Sequence, residues 1–168
     1  MTARRVGVVG ASGYSGAVAA RILALHPDVE LVGVTSDKLS GRSLRGELGL
    51  ITGPDVRFVP NAAALDIAAG CDAVLLATSA EVSASLAPRL VAAGKLVVDL
   101  SGAFRLPDVA DYPRWYGFEH PTLRGVGHEP PVGYRPGHYG LPELFGPPPL
   151  ERLLVANPGC SATATLLA

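Results

Sequence analysis

Arg5-Val6-Gly7-Val8-Val9-Gly10-Ala11-Ser12-Gly13-Tyr14-Ser15-Gly16 decides the fold class. Arg5 to Gly10 is short, apolar and β-branched, as a buried strand requires. Ala17 to Leu25 is rich in Ala, Leu and Ile and predicts a helix. Between them, Gly-x-x-Gly-x-x-Gly makes a tight turn in which missing side chains let backbone approach a ligand. A strand, a glycine turn and a helix in succession have the physics of a nucleotide phosphate site. Free N–H groups at a helix start attract an anion, and the turn residues Gly10, Ser12, Gly13, Tyr14, Ser15 and Gly16 would line it. A glycine triplet by itself is an ordinary turn; its flanks give this one its meaning.

Reading on from there, His26-Pro27-Asp28 stops the helix, and Glu30 to Thr35 predicts a second strand. Cofactor choice should be made about 20 residues beyond the glycines, at the end of this strand. Ser36 with Lys38 or Arg42 would suit a ribose 2′-phosphate, whereas Asp37 would suit a free 2′-hydroxyl; NADP is favoured. Ser40 to Pro54 is polar and Gly-rich and predicts a surface loop. Val56–Val59, Cys71–Thr78 and Leu96–Leu100 predict further strands, with Ala62–Ala69 and the stretch from Ser79 to about Ala93 as helices between them. Ser79 fits the N-cap and Gly94 the position after the helix end. Cys71 reads as structural. Such alternation predicts an α/β fold with a parallel, doubly wound sheet, whose ligands bind beyond the carboxyl ends of the strands.

Residues 106–150 change character, holding ten of the 15 prolines and most of the aromatics. They predict an ordered cover in which Trp115–His120 and Tyr139–Leu144 pack rather than react. Leu153 to Ala156 then returns to strand character, Asn157-Pro158-Gly159 breaks it, and Cys160 to Ala168 can wind as a helix. This puts a thiol at a helix N-terminus, where free N–H groups and the dipole favour a thiolate nucleophile. A small core cysteine is the alternative. Arg105, just past the fifth strand, could fork a phosphate or carboxylate, or be an ordinary solvated arginine.

Composition narrows the setting. A net charge of −1 gives no reason to expect nucleic acid or an anionic membrane as partner. No apolar run reaches the roughly 18 residues of a membrane span. Two cysteines make no disulfide framework, which points to a reducing cytoplasm. No metal-ligand spacing is evident. The chain stops at Ala168 in apolar helical sequence without a closing residue, as a piece of a longer protein would.

Five segments in order, Gly10–Gly16, Asp99–Arg105, Trp115–His120, Tyr139–Leu144 and Asn157–Cys160, closely resemble the N-acetyl-gamma-glutamyl-phosphate reductases of arginine biosynthesis. The resemblance runs over the whole chain, roughly the N-terminal half in that family. It implies a Rossmann-type NADP(H)-binding domain over 1–155, including the Pro-rich extension, and over 156–168 the nucleophile turn and first helix of an α+β catalytic domain. It implies Cys160 as the acyl-accepting nucleophile, with Arg105 and Asn157 at the substrate phosphoryl group. Gly10, Gly13 and Gly16 would lie at the NADP phosphates, Ser36 near the 2′-phosphate, and Ser79 beside the nicotinamide. Partners would be a small acyl phosphate and inorganic phosphate, and the complete protein a homo-oligomer. Relatives acting on a carrier-linked aminoadipyl phosphate, aspartate-semialdehyde dehydrogenase, and a non-catalytic NADP-binding module are the other readings. Two departures stand out: Ser79-Ala80 where many relatives have a Pro-His pair, and Cys160-Ser161-Ala162-Thr163 where many have Cys-Tyr-Pro-Thr. In the family the proton-donating histidine belongs to a later domain, so His26, His120, His128 and His138 inherit no role. A steady-state assay of the 168-residue chain alone should accordingly show no turnover of acyl phosphate.

Overall fold

The computed structural model describes residues 2–121, 137–149, 151 and 153–168; His128 lies outside them. The chain divides into two compact units, one ending at Thr78 and the other beginning at Ser79. No helix among the described residues is long and apolar enough to cross a membrane.

In the first unit the strands are β1 (Arg4–Val9), β2 (Val29–Thr35), β3 (Phe58–Val59) and β4 (Ala73–Leu76). All pair in parallel: β1 with β2 on one side and with β4 on the other, and β2 with β3. The chain thus steps outward from β1, then returns to its opposite edge. This reversal is the switch point of a doubly wound sheet. Parallel strands buried on both faces explain the apolar runs, since alternation is not needed there. Helix α1 (Tyr14–Ala24) follows β1. Val8, Ala11, Ala20, Leu31, Val34, Leu44 and Phe58 form one buried cluster.

The predicted loop over Ser40–Pro54 contains a helix, α2 (Leu44–Leu48), and this corrects the sequence reading. Ser43 caps it by accepting from the Gly46 N–H, and Gly49 closes it with φ +61°. Leu44, fully buried, anchors the turn to the core, so one apolar side chain and two caps override a polar composition. Helix α1 also begins three residues before the predicted start at Ala17, because Gly13 and not Gly16 is its cap. A short 3₁₀ turn (Asn61–Ala63) leads into α3 (Ala64–Ala69). Cys71, 4% exposed, donates its thiol to the Ile67 carbonyl at 3.2 Å, in keeping with a structural role.

The second unit holds α4 (Ala80–Ala92), β5 (Leu96–Asp99), α5 (Tyr112–Tyr116), β6 (His138–Tyr139), α6 (Pro142–Phe145), β7 (Leu154–Ala156) and α7 (Cys160–Leu167). Ser79 caps α4. Gly94, at φ +73°, ends it with paired N–H bonds from Gly94 to Val91 and from Lys95 to Leu90, a Schellman closure. Strand β7 pairs in parallel with β5 and with β6. The extension predicted as an ordered cover contains α5 and α6, and its Tyr112 and His120 are sealed from solvent together with Phe104, just before it. The His120 and Tyr112 rings lie 4.8 Å apart, and His120 Nε2 is 3.0 Å from the Ala103 carbonyl oxygen. Gly102 is required beneath Tyr116, since a Cβ there would overlap its ring.

Phe58→Ala should cost about 3–5 kcal/mol, and Val18→Ala on the exposed face of α1 less than about 0.5 kcal/mol, in denaturant unfolding. Burial holds the His120 pKa below its usual 6.5, so the unfolded chain takes up this proton first. The contribution of His120 is therefore complete above pH 6.5 and is lost as pH falls through the lower folded value. The loss proceeds at up to ~1.4 kcal/mol per pH unit. Unfolding of wild type and His120→Gln as a function of pH should differ by this slope in that window.

Candidate active site

In the first unit the site is built on the switch point. Gly10, directly after β1, has φ +83°, and a Cβ there would come within 2.6 Å of the Ala77 carbonyl oxygen at the end of β4. The two strand ends are tied where Ala77 N–H donates to the Val9 carbonyl at 2.8 Å. A Cβ on Gly16 would overlap the Gly10 carbonyl, so the helix can lie this close to the turn only as glycine. Gly13 caps α1 in extended conformation with no side chain bonded to the helix end. Ser12, Gly13, Tyr14 and Ser15 are exposed around it. A bare helix N-terminus beside a backbone turn without side chains suits a pyrophosphate, and these residues fit a dinucleotide.

The turn is wired to the end of β2. Ser36, 1% exposed, donates to Ser12 Oγ at 2.7 Å and accepts from the Leu39 N–H. Gly10 N–H donates to Thr35 Oγ1 at 3.0 Å, and that hydroxyl donates to Asn61 Oδ1 at 2.6 Å. Asn61 in turn donates to Asp37 through both its N–H (2.8 Å) and its Nδ2 (2.9 Å). Ser12 and Ser36 are therefore brought together, while Arg42 pairs with Glu47 at 2.9 Å.

In the second unit Cys160 opens α7 and is exposed. Gly159 caps the helix without a side-chain bond, and the first intrahelical bond runs from Thr163 N–H to the Gly159 carbonyl. Arg105 is fixed against this turn: Nε donates to the Asn157 carbonyl at 2.8 Å and Nη2 to the Leu100 carbonyl at 3.0 Å. Its Nη1 lies close enough to Gly159 that a Cβ there would sit 3.2 Å away. Arg105 thus packs against the turn that carries Asn157 and leads into Cys160. Ser79 serves as the cap of α4.

Asp99, fully buried at the end of β5, organises the approach. It accepts from Ser101 N–H and Oγ at 3.1 and 2.9 Å, and from Ser83, and its carbonyl accepts from Asn157 N–H at 2.9 Å. Burial pushes its carboxyl above the usual value, against the pull of these hydrogen bonds and of the Arg105 charge. Asp99, Ser83, Thr35 and Asn61 were not singled out from sequence. Asp99 and Thr35 carried a signal, each being a polar residue at the end of an apolar strand; Asn61 and Ser83 carried none, since their partners are distant in the chain. Among the histidines, His26 is exposed and accepts from Asp28 N–H, His120 is sealed, and His138 lies in β6.

The family model for the semialdehyde dehydrogenase NAD binding domain matches residues 5–147. The chain is 42% identical over 163 residues to the N-acetyl-gamma-glutamyl-phosphate reductase of Thermus thermophilus, covering 97% of this chain and 44% of that one. It is 37% identical over 169 residues to the LysW-linked L-2-aminoadipate/L-glutamate phosphate reductase of Sulfurisphaera tokodaii, covering 98% and 45%. The structure of aspartate semialdehyde dehydrogenase II of Vibrio cholerae superposes with a TM-score of 0.61 at 20% identity, covering 99% of this chain and 45% of that one. The chain spans less than half the length of these relatives. With the match extending over most of its residues, and a glycine turn seated at the switch point of a parallel sheet, the chain belongs to the semialdehyde dehydrogenase family and carries its NAD binding domain.

Proposed function

We propose that the complete protein is an NADP-dependent acyl-phosphate reductase that makes an aldehyde through a thioester on Cys160. Its substrate is N-acetyl-glutamyl 5-phosphate, in cytoplasmic arginine biosynthesis. The observation that carries this reading is the placement of Cys160: exposed, first in α7, and directly after the turn against which Arg105 is pinned.

The chemistry follows from the turn. The Cys160 sulfur attacks the acyl carbon, a C–S bond forms, the C–O bond to phosphorus breaks, and phosphate leaves with the electron pair. Arg105, held by two backbone carbonyls, keeps its remaining N–H groups for the phosphoryl oxygens. The uncapped N–H groups at the start of α7 stabilise the oxyanion. Gly10 to Gly16 hold the dinucleotide phosphates, with the Ser36–Ser12 pair beside them. When bound, the reduced nicotinamide supplies the hydride that takes the thioester carbon to the aldehyde level. Collapse then restores the Cys160 thiol, and its proton comes from a donor other than the described histidines. Residues 156–168 are, in this reading, the start of the catalytic domain.

The near-equal identity to the LysW-linked reductase supports a second reading, in which the acyl phosphate is attached to a carrier protein. The two separate on substrate: free N-acetyl-glutamyl phosphate should drive phosphate release in the first case and only the carrier-linked compound in the second.

In the complete protein, mass spectrometry after mixing with acyl phosphate and no cofactor should show one acyl group on Cys160 and one equivalent of phosphate released. Cys160→Ser should abolish the adduct and lower turnover by at least about 10³-fold, whereas Cys71→Ser should do neither. An adduct that persists in Cys160→Ser would sink the assignment. Limited alkylation at neutral pH should label exposed Cys160 well before buried Cys71, as read by peptide mapping.

A further inference from the structure

Asp37 stands where a dinucleotide fold keeps the acid that binds a free ribose 2′-hydroxyl, about 20 residues past the glycine turn and just beyond β2. In this chain that carboxylate is already engaged. Asn61 donates to one oxygen from its backbone N–H at 2.8 Å and to the other from Nδ2 at 2.9 Å. The amide cannot turn over without loss, because its Oδ1 accepts from Thr35 Oγ1 at 2.6 Å. Thr35 is itself fixed, fully buried and accepting from the Gly10 N–H. A relay therefore runs from the glycine turn through Thr35 and Asn61 to Asp37. It orients the acid as a cap on the 3₁₀ turn at Asn61–Ala63 rather than as a ribose ligand.

The surroundings agree. Ser36 is turned inward to Ser12, leaving the segment from Asp37 to Arg42 as the exposed part of the strand end. Its charges are Asp37, Lys38 and Arg42, the last shared with Glu47. With Asp37 drawn toward Asn61, Lys38 is the charge left for a 2′-substituent. A carboxylate free to move would accept a 2′-hydroxyl and repel a 2′-phosphate.

We propose that Asn61 is the residue that sets cofactor preference, by withholding Asp37 from the adenosine ribose so that a 2′-phosphate is accepted. The inference rests on the NADP reading given above and names the residue behind it. It is not visible in sequence because Asn61 and Asp37 are 24 positions apart.

Calorimetric titration of the full chain with NADPH, NADH, 2′,5′-ADP and ADP tests it without any turnover. Wild type should bind the 2′-phosphorylated member of each pair more tightly. Asn61→Ala should narrow the NADPH-to-NADH affinity ratio by about tenfold, equivalent to ~1.4 kcal/mol, and the 2′,5′-ADP-to-ADP ratio alike. Asn61→Ser is the substitute should Asn61→Ala fail to fold. Asp37→Asn alone should leave NADH affinity within about twofold of wild type, since in the native chain the acid holds no ribose; added to Asn61→Ala, it should remove the gained NADH affinity. An unchanged ratio in a folded Asn61 variant, or a tenfold loss of NADH affinity in Asp37→Asn, overturns the proposal. A folded wild-type chain that binds neither dinucleotide overturns the NADP reading, and this inference with it.

Discussion

The first unit depends on two places where backbone meets backbone with no room for a side chain. At Gly10 the end of β1 turns against the Ala77 carbonyl at the end of β4, and at Gly16 the start of α1 lies against the Gly10 carbonyl. Any side chain at either position would push helix from strand. Sheet reversal and helix entry are therefore one constraint. Buried Val8, Val34 and Phe58 supply the apolar drive, but the glycines decide where the chain can turn.

A different device serves the second unit, where a buried, hydrogen-bonded carboxyl takes the place of missing side chains. Asp99 draws Ser101 and Ser83 to its carboxylate and Asn157 to its carbonyl. Arg105 then closes onto the Asn157 carbonyl from the same segment. A buried carboxylate is costly unless satisfied, so this loop has few alternatives that leave it paired. The result is a cysteine turn held from beneath by hydrogen bonds while its thiol faces outward.

Legibility tracked the range of the interaction concerned. The strand–glycine–helix order, the cap at Ser79, the closure at Gly94 and the Cys160 helix start were readable because each depends on neighbours within a few positions. Helix α2 was missed because its anchor is Leu44, one apolar residue in a polar stretch, whose burial depends on the core cluster formed with Phe58 and Leu31. Ser36 and Arg42 were legible as residue types at the right distance but not as partners: one is spent on Ser12 and the other on Glu47.

Readable from the chain alone were the main alternation of strands and helices through β5, the places where the backbone must be bare, and the cysteine that opens a helix. These follow from local sterics, caps and apolar runs. Only the tertiary structure decided that Asp37 belongs to Asn61, that Arg105 belongs to the Asn157 turn, and that Asp99 lies sealed beneath it. Such hydrogen bonds join residues 24 to 58 positions apart, and nothing in the local chemistry of either partner names the other until the sheet brings them together.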